Sequence, residues 1–425
     1  MRASTYPLVD ADEAAALVLE RTPVLPAEEV ALSEAAGRVL AQDMQAPSAL
    51  PAFPSSAVDG FAARSADAGK GLRIVGESAA GRPFMGKLEP GTAARILTGG
   101  AVPDGADTVV MVEDVSLNGE VVTVPSTLQP GANFHRPGAD VRAGELVLTA
   151  GTQLGAAELG LAAALGFPRL RVYMRPRVAL MSTGDELVEV GMEPGPGQIV
   201  DSNRWALLAA LREAGAEVTS LGIAPDERKA LSAVVAAALD AADVLVTSGG
   251  VSVGTHDLVK PLLESLGTVH IGRVKLKPGK PFTFATIPAQ RTGGHSPSHL
   301  RGEGRGGEVQ ERLAFGLPGF PVSSLVTFEV FVRPALRKLQ GFSKLQRPTL
   351  PVRLGYDARA TADRTEYQRV TLTRHGSEMV AQTTGSQSSS RLLSLVGAHA
   401  LVRIAPGDHG VKAGTVVEAM ILALP

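Results

Sequence analysis

The sequence predicts a multidomain α/β protein organised around a doubly wound parallel sheet over residues 175–332. Two observations carry this. First, three apolar runs each break into a glycine-rich polar loop: Pro176 to Ser182 into Thr183-Gly184-Asp185-Glu186, Asp243 to Thr247 into Ser248–Gly254, and Ala314 to Leu317 into Pro318–Ser324. Short β-branched runs bounded by Gly and Ser read as buried strands. Second, helical periods alternate with them. Asn203–Ala214 places Trp205, Leu208 and Leu211 on one face, with Asp201 or Ser202 as N-cap. Asp226–Asp240 reads as a second helix and Val218–Ile223 as the strand between. Alternating strand and helix implies parallel strands, and such sheets bind ligands beyond the carboxyl ends of their strands.

The other elements follow in order. Asp10–Glu20 reads as an amphipathic helix capped by Asp10, and Leu32–Ala41 as a short second one. Residues 47–141 are rich in Pro and Gly with short β runs at Leu72–Val75, Thr108–Val112 and Val121–Val124, so they read as a β domain inserted into a helical one. Helical texture returns at Gly155–Leu165, which makes 1–46 and 142–174 a discontinuous helical domain. Pro321–Gln340 reads as the closing helix of the α/β domain, with Pro321 near its start, where a missing N–H costs little. Short runs such as Leu401–Ile404 and Val416–Leu424 make 333–425 a C-terminal β domain. Residues 290–312 are Gly-, Ser-, His- and Arg-rich without an apolar period and read as a flexible surface loop. His295 and His299 in that loop lack the helical context that a metal pair needs.

Bulk properties narrow the function. A chain of 425 residues exceeds one ordinary core. A net charge of −2 gives no electrostatic case for nucleic acid, and no run approaches the ~20 apolar residues that span a membrane. With no cysteine there is no disulfide, no thiolate nucleophile and no Cys-ligated metal. The acidic N-terminus is unlike a signal peptide, so a cytoplasmic protein is expected.

The chemistry gathers on the loops. Lys275-Leu276-Lys277-Pro278-Gly279-Lys280-Pro281 sets three lysines in a stiffened turn after the run Val269–Val274. Fixed ammonium groups suit an oxyanion, although a solvated basic turn has the same composition. It is not a Walker A loop, because Pro281 stands where the hydroxyl residue belongs. In Thr247–Asp257, Gly249 and Gly250 let backbone N–H groups face an anion, and Ser252 adds a hydroxyl. Asp257 is either a helix N-cap or an acid that holds a metal or acts on water. His256 beside it reads as exposed. Asp185 and Glu186 serve either helix-start capping or the site, and the start of the helix at Pro318, Gly319, Pro321 and Ser323 is either a plain junction or an anion site. Pro51–Ala62 with Asp59, Thr98-Gly99-Gly100, and Phe134–Asp140 all read as turns.

Together, PAFPSSAVDGFA, TGG with PDGADTVV, FHRPGADV, STGDEL, GQIVDSN, SGGVSVGTHD, KPGKP, GLPGFPVSS and SQSSSRLLS resemble, in order and over nearly the whole chain, the MoeA family of molybdopterin molybdenumtransferases, which includes the C-terminal domain of gephyrin and its plant counterpart. The resemblance implies that the α/β domain binds molybdopterin and that the C-terminal domain is a β barrel. It implies an elongated homodimer with the cleft shared between subunits, and a reaction joining molybdate to adenylylated molybdopterin with release of AMP and use of Mg2+. Asp257, Ser252, Lys277, Lys280 and Ser323 fall on the catalytic and molybdate positions. Asp59, Thr98, Arg136 and Asp140 fall on substrate positions, with Asp59 and Thr98 reaching the site from the partner. Thr183, Glu186, Asp201, Ser202, Asn203, Asp226, Gly249, Gly250, Lys275, Pro281, Pro318, Gly319 and Pro321 line the α/β side. Arg369 and Ser389 or Ser390 would line a more distant molybdate contact. Glu186, Asp226 and Asp257 could anchor the metal. The implied partners are a second copy of the chain, the molybdopterin adenylyltransferase and molybdoenzyme chaperones. Phe320 and His399 stand where the family usually has Asn, and the 290–312 stretch is inserted. A non-catalytic binding or scaffold protein on the same fold is the alternative.

Overall fold

The computed structural model describes residues 6–224, 227–250, 258–288, 311–407 and 409–423. Asp226, Ser252, Asp257 and nearly all of the 290–312 stretch, with both of its histidines, lie outside the described residues. The chain forms two compact units: residues 1–28, 37–39 and 172–425, and residues 29–36 and 40–171.

The larger unit holds the expected sheet. In chain order this part of the unit has strands β1 (Arg177–Thr183), β2 (Glu217–Ala224), β3 (Val244–Ser248), β4 (Thr268–Ile271), β5 (Leu276–Lys277), β6 (Thr283–Pro288) and β7 (Glu311–Leu317), all but β5 in one sheet. The sheet order is β2-β1-β3-β7-β6-β4. The first four strands are parallel, while β6 runs antiparallel to both β7 and β4, which amends the all-parallel expectation at one edge. β6 and β7 are joined by the inserted stretch, a direct connection that puts adjacent strands antiparallel. Glu311 and Arg312 belong to β7, so the insertion is shorter than its composition suggests.

Alternation along each strand sends successive side chains to opposite faces. Val178, Leu180, Val246, Phe315 and Leu317 meet α1 (Ala11–Arg21), α2 (Asn203–Glu213) and α5 (Pro321–Thr327) in one buried cluster. Ala179, Met181, Leu245 and Ala314 meet α3 (Arg228–Ala241) and α4 (Val259–Leu266) in another. The sheet is thus covered on both faces, as parallel strands require. Asp10 caps α1 as its sequence indicated, accepting from Asp12 N at 2.9 Å. The predicted closing helix is α5, a π-helical turn at Phe328–Val332, and α6 (Arg333–Leu339).

The C-terminal strands are β8 (Thr349–Leu354), β9 (Thr365–His375), β10 (Glu378–Thr383), β11 (Ala400–Ile404) and β12 (Val416–Ile421). They pair β9-β10-β8-β12-β11, and β11 returns to β9, closing a five-stranded barrel around Val352, Leu354, Val370, Leu372, Val402 and Ile404. β5, from the turn carrying the lysines, adds to β9 in parallel and joins barrel to α/β domain.

In the smaller unit a six-stranded sheet runs in the order Thr108–Met111, Gly60–Ala63, Thr92–Ile96, Gly71–Ser78, Val121–Thr123, Ser116–Asn118. The helix Ala156–Ala164 also forms. The predicted helix over Leu32–Ala41 does not: only Leu32–Glu34 makes a single 3₁₀ turn. Gly37 takes φ +75°, a left-handed value that interrupts a helix.

Candidate functional site at the carboxyl edge of the sheet

The register of the central strands aligns the loops. Ser182 pairs with Ser248, and Ser248 with Leu317, so the polar loops after β1, β3 and β7 start at one level. Asn203, at the start of α2, ties them together. Its side-chain amide donates to Ser248 Oγ at 2.8 Å and to the Gly319 carbonyl at 2.7 Å. Gly249 N donates to the Leu317 carbonyl at 3.0 Å. Gly249 and Gly250 both have positive φ, and a Cβ on Gly249 would stand 2.3 Å from the Thr183 carbonyl oxygen. The loop therefore approaches β1 as closely as only glycine permits. Thr183 Oγ1 and Ser324 Oγ are buried and meet no partner among the described residues. Pro318 is buried, Gly319 exposed and Pro321 half-buried.

Asp201 takes an internal role. It is 1% exposed and accepts from Arg204 N at 3.2 Å and Arg204 Nε at 2.9 Å. It thereby satisfies a backbone N–H in the first turn of α2, while Ser202 is exposed. Glu186 is exposed and curls back over Gly184, where its Oε2 would lie 2.5 Å from an added Cβ.

The lysine turn is closed by Val274 N donating to the Lys280 carbonyl at 3.0 Å. Gly279 lies against Thr327 of α5, where a Cβ would come within 2.6 Å of Thr327 Cγ2. This contact brings the turn beside the helix that carries Ser323, which is itself 4% exposed. Lys280 is exposed, and Lys275 and Pro281 are half-buried. Lys277 Nζ lies 3.2 Å from Glu366 Oε2 and donates to Thr361 Oγ1 at 3.2 Å.

The start of α5 offers less than the sequence suggests, because Val322 N already donates to the Ser389 carbonyl at 3.1 Å. That bond seats residues 387–394 of the barrel on the helix start. Arg369 holds the same segment: Nη2 donates to the Ser388 carbonyl at 3.1 Å and Nε to Ser394 Oγ at 3.1 Å. Arg369 is 1% exposed, and burial pushes its guanidinium down to about 10. It anchors a loop, leaving half-buried Ser389 and exposed Ser390 as that loop's hydroxyls.

In the smaller unit three more stretches converge. Asp59 Oδ1 accepts from Thr98 N at 2.7 Å and Thr98 Oγ1 at 2.8 Å. These bonds, the backbone one first, hold its carboxyl below the ordinary range. Gly138 N donates to the Pro51 carbonyl and Asp140 N to the Leu50 carbonyl, both at 3.0 Å. Phe134 pairs with Ser56. Asp140 and Arg136 are exposed there.

For the metal, no three His, Asp or Glu residues cluster among the described residues. Of the three candidate ligands only Glu186 is described, and no described donor engages its exposed carboxylate. Carboxylate oxygen is the donor type that Mg2+ takes. Sequence reasoning missed Ser248, Thr361 and Glu366. Glu366 is buried in β9 together with Thr365, Tyr367, Gln368 and Arg369, so no alternation in the sequence singles it out.

The fold and its loop-lined edge define a multidomain α/β protein with a built polar ligand site. Residues 9–166 match the family description MoeA N-terminal region (domain I and II), 179–338 the probable molybdopterin binding domain, and 351–422 the MoeA C-terminal region (domain IV). A molybdopterin molybdenumtransferase of Nostoc is 37% identical over 99% of this chain and 94% of its own length. One from Haemophilus influenzae is 38% identical over 79% of each. Gephyrin of Dictyostelium discoideum is 36% identical over 99% of this chain, which spans 63% of that protein's length. A crystal structure of a molybdopterin biosynthesis MoeA protein from Pyrococcus horikoshii superposes with a TM-score of 0.79 at 30% identity, covering 98% of this chain and 99% of the other. The chain belongs to the MoeA family.

Proposed function

We infer that this protein is a molybdopterin molybdenumtransferase, joining molybdate to adenylylated molybdopterin with release of AMP. The observation that carries the reading is the lysine turn seated beside the Ser323 helix, in a chain matched end to end by relatives bearing that activity. Molybdate is a tetrahedral dianion and needs compact positive charge with N–H and O–H donors. Lys277, Lys280, Ser323 and the hydroxyls of the 387–394 loop supply them. Asn203, Thr183 and the Gly249-Gly250 backbone orient the pterin substrate. Magnesium, held by Glu186 with Asp226 and Asp257, would neutralise nucleotide phosphate charge when bound. Asp257 acts on the adenylate linkage. The protein works as a cytoplasmic homodimer, for which the Asp59–Thr98 pair and the exposed Arg136 then have a use; among the described residues no helix is long and apolar enough to cross a membrane. The test is AMP release from adenylylated molybdopterin. Release that needs both molybdate and magnesium is expected, and a chain that binds the substrate without releasing AMP would be the scaffold instead.

A further inference from the structure

We propose that Glu366 is the positioning residue for the Lys277 ammonium, and that it acts on molybdate binding through that lysine. The proposal rests on the reading that Lys277 binds the oxyanion. Lys277 and Glu366 are register partners where β5 adds to β9. The Glu366 side chain is 5% exposed and that of Lys277 is 42% exposed, so the carboxylate faces inward and the ammonium reaches the surface above it. Both carboxylate oxygens are occupied. Oε2 takes Lys277 Nζ at 3.2 Å and Thr361 Oγ1 at 3.1 Å, and Thr361 Oγ1 in turn accepts from Lys277 at 3.2 Å. Oε1 accepts from Gln368 Nε2 at 3.2 Å. Gln368 is fixed in turn, donating to the Arg359 carbonyl at 2.8 Å and accepting from Tyr356 OH at 2.9 Å.

A lysine side chain has a long flexible stem and pays entropy to hold one place. Here the ammonium is held by a carboxylate that itself cannot rotate. The arrangement demands an acceptor at both ends. Glutamine at 366 can accept at one end only, and its NH2 then faces either the ammonium and Thr361 or the Gln368 amide. Either way the lysine loses its fixed post. Preorganisation of this kind strengthens binding by removing the ordering cost beforehand.

The test is the molybdate dependence of AMP release from adenylylated molybdopterin by the full-length protein, with thermal melts as a check on folding. Glu366→Gln is expected to raise KM for molybdate about tenfold, the equivalent of one charge-assisted hydrogen bond, with kcat within about twofold. Thr361→Val, at a half-buried site, should raise KM about two- to threefold. Glu366→Gln added to Lys277→Ala should do no more than Lys277→Ala alone, because the two act as one unit. A folded Glu366→Gln with lower kcat and unchanged KM, or additive effects in the double variant, overturns the proposal. If Glu366→Gln fails to fold, Thr361→Val decides, and an unchanged KM there overturns it. An unchanged molybdate dependence in Lys277→Ala instead overturns the reading of the lysine turn itself.

Discussion

Replacing Gly249 by alanine tests how closely the ligand loop must approach the sheet. Gly249 has φ +88°, and the added methyl would lie 2.3 Å from the Thr183 carbonyl oxygen. Two costs follow. The left-handed backbone costs an alanine about 1–2 kcal/mol. The overlap adds about 1–3 kcal/mol, because the obstacle is backbone and cannot rotate away. β1 pairs on both sides, with β2 and β3, so its end has little room to retreat. The total is about 2–5 kcal/mol by these two terms. Gly197→Ala supplies the control, since Gly197 has φ +79° and no atom within 4 Å of the place its methyl would take. It should lose only the backbone share, about 1–2 kcal/mol. Urea unfolding of both variants at equal concentration measures the difference. Gly249→Ala should also weaken substrate binding, since Gly249 follows Ser248, the residue that accepts from Asn203. Equal loss of stability in the two variants would refute the claim that the loop is packed to contact with the strand.

Asp257→Asn should keep the fold, because Asn caps a helix about as well as Asp, yet cost AMP release orders of magnitude; near-normal turnover would move the catalytic role to Glu186 or Asp226. Thr98→Val removes one of the two donors on Asp59 and should raise that carboxyl toward its ordinary value. The depressed value means that Asp59 contributes stability above its unfolded pKa, which is lost as pH falls through the folded one. A carbon-detected NMR titration with no upward movement would contradict the assignment. Burial, with the Glu366 charge behind it, pushes the Tyr356 phenol up to about 12. Its contribution is therefore complete below about pH 10 and is lost as pH rises through about 12. Ultraviolet titration of wild type against Tyr356→Phe should show the missing phenol at the high end, and Glu366→Gln should lower it.

The α/β domain was legible because its strands announce themselves: β1, β3 and β7 are apolar runs with abrupt polar ends, and local patterning there agrees with burial. The antiparallel β6 was not legible, since strand direction depends on where the chain re-enters the sheet and not on any residue in the strand. Leu32–Ala41 misled because its alanines and leucines suit a helix in isolation, whereas Val39 and Leu40 are buried without one. At the site, Thr183, Asn203, Gly249, Gly250 and Gly319 do meet, as loops at one sheet edge must. Asp201 and Arg369 show the limit of sequence reading. Both are polar residues in ligand-like motifs that also make internal bonds which no local pattern encodes, Asp201 with Arg204 and Arg369 with Ser388 and Ser394. Glu366 is the converse: one acid in a barrel strand, whose meaning depends on a β5 pairing that no local pattern encodes.

The most direct measurement is the anomalous scattering of molybdenum in a crystal of this protein soaked with molybdate and AMP. If the lysine turn and the Ser323 helix bind the oxyanion at the carboxyl edge of the sheet, a molybdenum peak will lie within hydrogen-bonding reach of Lys277 or Lys280. Its oxygens should stand about 3 Å from the donor nitrogen. Molybdenum bound at full occupancy elsewhere, with the lysine turn empty, would contradict that placement.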